Sequence, residues 1–187
     1  GLKIRWRAFQ LNPGMPAGGM DRQSYLDAKF GGSEQAQNIY DAVRAAGNGE
    51  GIAFAFDRIK RTPNTLLSHR LIRYASLTDR QNAVLDGLFA GYFLEGRDIG
   101  NLEILTDIGA EAGLDRADIA AYLTGDAEAD SVLAEDALAR RAGIGGVPCF
   151  IFNSRYALSG AQEPEAFFQL FDLAREDESA RVESASV

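Results

Sequence analysis

Residues 146–167 read GVPCFIFNSRYALSGAQEPEAF and specify a strand, a turn, a second strand and a helix. Residues 147–152 are an apolar β-type run, and Asn153-Ser154 predicts a two-residue hairpin turn because Asn tolerates a positive φ. Residues 155–158 are then the return strand, and the four residues that follow lead into a terminal amphipathic helix. Because proline cannot donate to a strand ladder, Pro148 at the start of the run predicts a special backbone there.

The front of the chain predicts another strand. Residues 2–11 alternate apolar and basic side chains, which places Leu2, Ile4, Trp6 and Ala8 on one face. Between this strand and the hairpin, apolar residues recur at helical spacing in several consecutive segments. The two ends are therefore predicted to be pieces of one sheet, with a helical subdomain inserted between them.

Composition excludes several classes of protein. The 187 residues carry 19 basic and 27 acidic side chains, a formal net charge of -8, with no basic stripe. Such a chain is poorly suited to bind nucleic acid or an anionic membrane. No apolar run approaches the roughly 20 residues of a membrane-spanning helix. The carboxylates are too scattered to indicate a metal site, and one cysteine and one histidine cannot supply a metal cage.

Three separated segments resemble one known family. The segment at 146–167 is similar to the C-terminal ββα unit of the DsbA-like thioredoxin family, and most similar to its FrnE-like branch of thiol–disulfide oxidoreductases. Residues 4–16, IRWRAFQLNPGMP, resemble that branch's second strand and the loop after it. The middle of the chain agrees as well, with GIAFAFDRIKRTPNTLLSHRLIRYA at 51–75 and FAGYFLEGRDIGNLEIL at 89–105.

The resemblance implies an α/β fold, a thioredoxin-like sheet with an inserted all-helical subdomain. We expect residues 1–14 and 143–176 to form a thioredoxin-like core. Residues 15–142 are expected to form a largely helical insertion, and residues 177–187 a polar C-terminal tail.

The family's redox motif has no counterpart in this sequence. In the family, a first strand and the start of a Cys-x-x-Cys helix precede the strand that resembles residues 2–11. A Cys-x-x-Cys site needs one thiolate at a helix N-terminus and a second thiol that resolves the mixed disulfide. Cys149 is the one cysteine here, so no catalytic residue is expected in these 187 residues. We expect the cysteine pair in an N-terminal segment outside them.

Two alternatives to a thiol–disulfide oxidoreductase stay open. The 2-hydroxychromene-2-carboxylate isomerases and the kappa-class glutathione transferases share the layout, and hold the glutathione thiolate with a Ser in the same N-terminal segment. A glutathione-dependent isomerase or transferase is therefore the first alternative. The second is a non-catalytic thioredoxin-fold binding module, which keeps the binding groove without redox chemistry.

Five residues are predicted to contact the substrate. The resemblance places a cis-proline at Val147-Pro148, where the residue before the proline offers its backbone N–H and C=O to an extended thiol-containing ligand. In the glutathione-using relatives an Asn in a similar Pro-Asn string contacts the ligand, which implicates Asn64; the alternative for Asn64 is a helix N-cap. Ser159 and Gln162 belong to the turn expected to open the last helix, whose free N–H groups could hold a carboxylate or serve only as a helix cap.

Cys149 and His69 are interpreted as structural residues. A free cysteine in a strand usually behaves as a small buried hydrophobe, and no cationic neighbour in sequence favours the Cys149 thiolate. His69 is expected to pack or cap within the insertion rather than to shuttle protons.

The resemblance also suggests the partners, the oligomeric state and the cellular compartment of the protein. We expect a protein or small molecule that contains a thiol or a disulfide as the partner, and neither nucleic acid nor a membrane. No cofactor is expected, although glutathione could serve as substrate or co-substrate. The surface of the insertion could support a homodimer. The FrnE-like branch is cytoplasmic, and a low cysteine count agrees with that compartment.

Overall fold

The structure is a computed structural model that describes residues 2–31 and 33–185, with only the backbone at 33, 34 and 178–185. The chain divides into two compact units, residues 1–136 and 137–187. The first unit is mostly helical. Its elements, in chain order, are β1 (Met20–Asp21), α1 (Arg22–Phe30), α2 (Ser33–Gly49), a 3-10 turn (Phe56–Arg58), β2 (Arg61–Thr62), α3 (Leu66–Ala75), α4 (Gln81–Phe89), a π-helical turn (Ala90–Leu94), α5 (Leu102–Glu111), α6 (Arg116–Thr124) and α7 (Ala129–Arg141), which continues into the second unit.

Local signals in the sequence start these helices. Asp21, Asn101 and Asp115 each accept a backbone N–H from the first turn of the helix that follows, at α1, α5 and α6. The apolar faces of α3 to α6 then pack into one core. Its largest fully buried side chains are Leu71, Val84, Leu105, Ile108 and Ile119.

One buried cation ties α3 to the end of α6. Arg70 is 3% exposed and donates hydrogen bonds to the carbonyl oxygens of Tyr122, Leu123, Gly125 and Ala127, at 2.7 to 3.2 Å. These carbonyls lie at and just beyond the C-terminal turn of α6, where a helix leaves its last C=O groups without partners. Arg70 thus serves as a cap for α6 that comes from another helix.

The strand predicted at residues 2–11 is absent from the structure. The backbone of this segment bonds to side chains of the helices rather than to a neighbouring strand. The N–H groups of Trp6, Ala8 and Gln10 donate to Gln81, Glu135 and Asp136 at 3.1, 2.9 and 2.7 Å. The prediction is wrong because a strand needs a neighbouring strand, and alternation along the chain does not supply one. The small sheet of this unit instead pairs β1 with β2, Met20 opposite Thr62.

The second unit contains β3 (Cys149–Phe152), β4 (Tyr156–Ser159) and α8 (Glu165–Ala185). The two strands pair antiparallel, with Cys149 opposite Ser159. Aromatic side chains hold α8 on one face of the hairpin. The ring centroids of Phe150 and Phe167 are 4.8 Å apart, and those of Phe152 and Phe171 are 5.4 Å apart.

The predicted hairpin turn forms in a slightly longer version. Asn153 and Ser154 have φ values of 48° and 60°, and the Arg155 N–H donates to the Phe152 carbonyl at 2.9 Å. Phe152 lies opposite Tyr156 in the register, so three residues connect the strands rather than two. Beyond the hairpin, α8 continues to Ala185, through most of the polar segment that we expected to be a tail.

Across the described residues, the helices are either too short or too polar to traverse a lipid bilayer. The same residues hold no group of three or more His, Cys, Asp or Glu side chains arranged to bind a metal ion.

Candidate functional site

The loop that enters β3 contains Val147 and Pro148, where substrate docking is predicted, and is therefore named the docking loop. The Val147–Pro148 peptide bond is cis, the conformation that the resemblance implies. The Pro148 carbonyl accepts a hydrogen bond from the Gly160 N–H at 2.8 Å, which extends the hairpin pairing by one step. Val147 lies just outside that pairing and is 53% exposed. Among the described residues, nothing bonds to its backbone N–H or C=O.

Glycines before the loop separate it from α7. Gly143 has a φ of 83°, a left-handed conformation that ends the helix without the strain that a side chain would bring. Gly145 and Gly146 follow, and a Cβ built on either would meet no atom within 4 Å. The backbone on the approach to Val147 is therefore uncovered within this unit.

Ser159 and Gln162 lie at the same end of the hairpin as the docking loop. Both are exposed, and the Gln162 Nε2 donates to the Ser159 carbonyl at 3.0 Å. Contrary to our prediction, they do not open the last helix, because α8 begins at Glu165. The N–H groups of Ala166 and Phe167 are already bonded to the carbonyls of Glu163 and Pro164, so the first turn is partly satisfied internally. Pro164 accounts for the later start, since the residue before a proline is disfavoured in a helix.

Cys149 is half-buried as the first residue of β3. Its side chain alternates with those of Phe150 and Phe152, which pack against α8, so it belongs to the opposite face of the hairpin. Among the described residues, no ion pair or side-chain hydrogen bond involves Cys149. The interpretation of Cys149 as a structural cysteine stays a prediction.

Asn64 lies in the first unit, at the start of α3. Its Nδ2 donates to the Met15 carbonyl at 2.7 Å and its Oδ1 accepts the Leu66 N–H at 2.9 Å. Both ends of the side-chain amide are therefore occupied within the fold. The N-cap of α3 is Thr65, so Asn64 lies one residue before the predicted cap position and joins the loop at Met15 to the first turn. Ligand contact by Asn64 stays a prediction.

His69 is half-buried on α3, where its imidazole bonds to the backbone of Phe9. Burial lowers its pKa below the ordinary value, while the Phe9 bond and the charges of Asp136 and Glu135 act in the opposite direction. His69 thus helps to hold residues 6–10 against α3 and α7. The contact favours the packing role that we predicted over a proton shuttle.

The docking loop, Ser159 and Gln162 come together at one end of the hairpin, within the second unit. Asn64 and His69 belong to the first unit. The sequence interpretation missed Gly160, whose N–H fixes the Pro148 carbonyl. A glycine just after a predicted return strand was the available signal, and its φ of 82° explains why a glycine stands there.

Comparison with known proteins identifies the family. The family model of the DSBA-like thioredoxin domain matches residues 1–172. Among solved structures, the chain is similar to a probable DsbA oxidoreductase from Streptomyces coelicolor, with 34% identity and a TM-score of 0.83, over 94% of this chain and 76% of the other. It is also similar in fold to a provisionally assigned protein disulfide isomerase from Nitrosomonas europaea, with 20% identity and a TM-score of 0.65, over 77% of this chain and 75% of the other.

No curated protein matches the chain. The family match and the Streptomyces structure confirm the resemblance and the α/β, thioredoxin-like fold that the sequence predicted. They also support a family of the thiol–disulfide oxidoreductase type. The match extends through the docking loop, the hairpin and the first turns of α8, as well as the helical first unit. The chain belongs to the DSBA-like thioredoxin domain family.

Proposed function

We propose that these residues carry the substrate-docking part of a DsbA-family thiol–disulfide oxidoreductase. The observation that carries the proposal is Val147, which is exposed and keeps both its backbone N–H and its C=O unbonded among the described residues. An extended ligand that lies beside Val147 gains two main-chain hydrogen bonds, as in the addition of a strand to a sheet edge. The recognition is independent of the ligand's side chains, which suits an enzyme that acts on many thiols.

The thiol–disulfide exchange reaction needs a pair of cysteines, and these residues contain only Cys149. In each cycle a substrate thiolate attacks one sulfur of the enzyme's disulfide, the other enzyme sulfur leaves as a thiolate, and a mixed disulfide forms; the second substrate thiol then attacks the substrate sulfur of the mixed disulfide and releases the remaining enzyme sulfur as a thiolate. The substrate loses two electrons as its two thiols become a disulfide, and the enzyme's disulfide gains them. Cys149 alone cannot complete this cycle. We therefore propose that the reactive cysteine pair comes from outside these 187 residues.

The proposed substrate is a polypeptide segment with a thiol or a disulfide, and no cofactor takes part. Ser159 and Gln162 flank the docking loop and are proposed to contact the segment through their exposed polar groups. The cytoplasm is proposed as the compartment, in line with one cysteine in 187 residues. A glutathione-dependent isomerase or transferase would use the same loop for the cysteine of glutathione, so binding by the loop does not separate the two activities.

Nuclear magnetic resonance can test the docking directly. The probe is an extended peptide whose cysteine is S-methylated, so that it binds without exchange. We expect saturable shifts of the amide signals at Gly146, Val147, Cys149 and Gly160. The variant Val147→Ala should bind nearly as well because it keeps the backbone groups, whereas Val147→Pro should bind about tenfold more weakly because the N–H is lost.

Binding that leaves these four amides unchanged would contradict docking at this loop. Equal affinity of Val147→Pro and Val147→Ala would contradict main-chain recognition. Glutathione and S-methylglutathione are the comparison ligands. A preference for them over the peptide would favour the glutathione-dependent alternative. For the redox step, the protein isolated from its natural source should titrate with more thiols than the single one of these residues.

A further inference from the structure

Arg22 stands at the start of α1 among three phenols and one hydroxyl. Its Nη1 donates to the Oγ1 of Thr62 at 3.0 Å and to the hydroxyl of Tyr92 at 3.4 Å, and its Nη2 donates to the hydroxyl of Tyr40. The guanidinium carbon also lies 5.3 Å from the ring centroid of Tyr40 and 5.8 Å from that of Tyr25. The cation is thus surrounded by aromatic faces and neutral oxygens.

Some N–H groups of the Arg22 guanidinium have no hydrogen-bond acceptor among the described residues. A guanidinium has five N–H groups, and three of them are accounted for by Thr62, Tyr92 and Tyr40. The Nε of Arg22 is buried and meets no hydrogen-bond acceptor of the described residues. It stands on the same edge of the guanidinium as Nη2. This edge is the side-on fork that binds the two oxygens of a carboxylate.

No negative charge compensates Arg22 within the described residues. No ion pair involves it. Burial raises the pKa of Tyr92 above its ordinary value, so this phenol stays neutral although the charge of Arg22 acts in the opposite direction. Asp98, whose negative charge also raises the pKa of Tyr92, is ion-paired with Arg61 at 3.7 Å. An arginine cannot escape by losing its proton, so a partly buried one without a counter-ion is an unfavourable arrangement.

Arg70 shows that this protein can satisfy a buried guanidinium without a carboxylate. Four backbone carbonyls accept from Arg70, its Nε among the donors, and no atom of that side chain is left without a partner. Among the described residues, the acceptors of Arg22 are side-chain hydroxyls, and its Nε meets none of them. The contrast indicates that the gap at Arg22 is specific to that site and does not reflect a general shortage of acceptors.

We propose that Arg22 is a carboxylate-binding position, separate from the docking loop. The ligand is a carboxylate that lies side-on against Nε and Nη2, within the cage of Tyr25, Tyr40 and Tyr92. Entry requires the ring of Tyr25 to turn aside. Tyr25 is half-buried, and the bonds of its hydroxyl to described residues are with Asn12 and Lys29, at 3.2 and 2.9 Å. The carboxylate could belong to a small organic acid or to the C-terminus of a peptide.

The test follows the Nε–H resonance of Arg22 in the folded protein. Acetate and N-acetyl-dialanine with a free carboxylate are the probes, with sodium chloride at equal ionic strength and the dialanine amide as controls. We expect the Arg22 signal to shift saturably with a carboxylate and to stay in place with both controls. Saturation by acetate alone assigns the site to small acids, and saturation by the dipeptide, alone or with acetate, assigns it to peptide termini.

Three variants locate the binding. Arg22→Gln should abolish it, and Arg22→Lys, which keeps the charge but not the fork, should weaken it about tenfold. Arg58→Gln removes an exposed cation of the same unit and should leave it unchanged. Equal shifts with carboxylate and chloride would reveal an adventitious ion only and overturn the proposal. So would the absence of saturation in the parent protein, whose result does not depend on the folding of any variant, or binding that persists in folded Arg22→Gln.

Discussion

At the scale of single residues, several buried or half-buried polar side chains of the first unit hold chain segments together. Arg70 caps α6 from a neighbouring helix, and Asn64 joins the loop around Met15 to the start of α3. His69 and Asp136 hold residues 6–10 from α3 and α7. Each of these side chains links segments that are distant along the chain.

His69 predicts how stability changes with pH. Burial lowers its pKa in the folded protein, so the unfolded chain takes up a proton that the folded chain resists as the pH falls below the ordinary value of 6.5. The free energy of unfolding should therefore fall on acidification through this range and be fully present above it. Urea titrations at about pH 7.5 and about pH 5.5 measure the change.

The matched control is His69→Gln, which keeps an N–H donor for the Phe9 backbone but does not titrate in this range. It should lose less stability between the two pH values than the parent protein does. Equal losses would mean that other groups account for the pH dependence. A larger loss in the variant would contradict the lowered pKa.

At the scale of secondary-structure elements, the packing of α5 on α6 depends on one glycine. A Cβ at Gly109 would lie 2.5 Å from the Cδ1 of Ile119 and 3.3 Å from the Cδ1 of Leu71. Both neighbours are fully buried. A glycine in a helix interior costs about 1 kcal/mol in propensity relative to alanine. The close approach of the two helices offsets that cost through buried apolar contacts.

Gly109→Ala should destabilise the protein by about 1–3 kcal/mol despite its better helix propensity, because the core has no room for the methyl group. Urea unfolding gives the value. Gly49→Ala is the control, since it lies in the last turn of α2 with no atom within 4 Å of the added Cβ. That variant should be neutral or slightly more stable. In an Ile119→Val background the cost of Gly109→Ala should shrink, and an unchanged cost would contradict the proposed clash.

At the scale of the whole molecule, the two units differ in how much they bury. Every buried apolar side chain of the described residues lies between Ala8 and Val132, within the first unit. In the second unit the hairpin and α8 share partly buried aromatic rings. Hydrophobic stabilisation scales with the apolar area removed from water, so the second unit has the weaker core.

Backbone amides of the second unit should therefore exchange with solvent sooner than those of the first. In native-state hydrogen exchange, β3 and β4 should lose protection while α3 and α5 stay protected, since local opening of a weakly packed unit costs less than global unfolding. Amide exchange followed by mass spectrometry of proteolytic fragments measures both. Equal protection of the hairpin and α5 would show that the two units open together, contrary to this expectation.

Several features of the fold could be predicted from the sequence because they depend on neighbours along the chain. The hairpin turn at Asn153-Ser154 follows from the tolerance of Asn for positive φ, and the helices of the first unit follow from apolar spacing. The special backbone at Val147-Pro148 was predicted from a proline placed before an apolar run, and the peptide bond there is cis. Local patterns were insufficient elsewhere. Thr78 and Gln81 have the spacing of a capping box, which predicts that their side chains bond to each other's backbone. The structure contradicts this prediction, since the Thr78 hydroxyl donates to the Ala75 carbonyl and the Gln81 side chain accepts from the Trp6 N–H.

By itself, the sequence determined the fold class and the family, and it predicted substrate docking at Val147-Pro148. The tertiary structure alone decided what residues 6–10 bond to, because their acceptors Gln81, Glu135 and Asp136 are more than seventy positions away. It also decided that the Asn64 amide bonds to the Met15 carbonyl. Within the described part of the chain, it left the buried Nε of Arg22 without an acceptor, while backbone carbonyls accept from Arg70. The physical reason is common to all of these: a side chain's propensity is local, whereas the satisfaction of its hydrogen bonds depends on groups brought close only by folding.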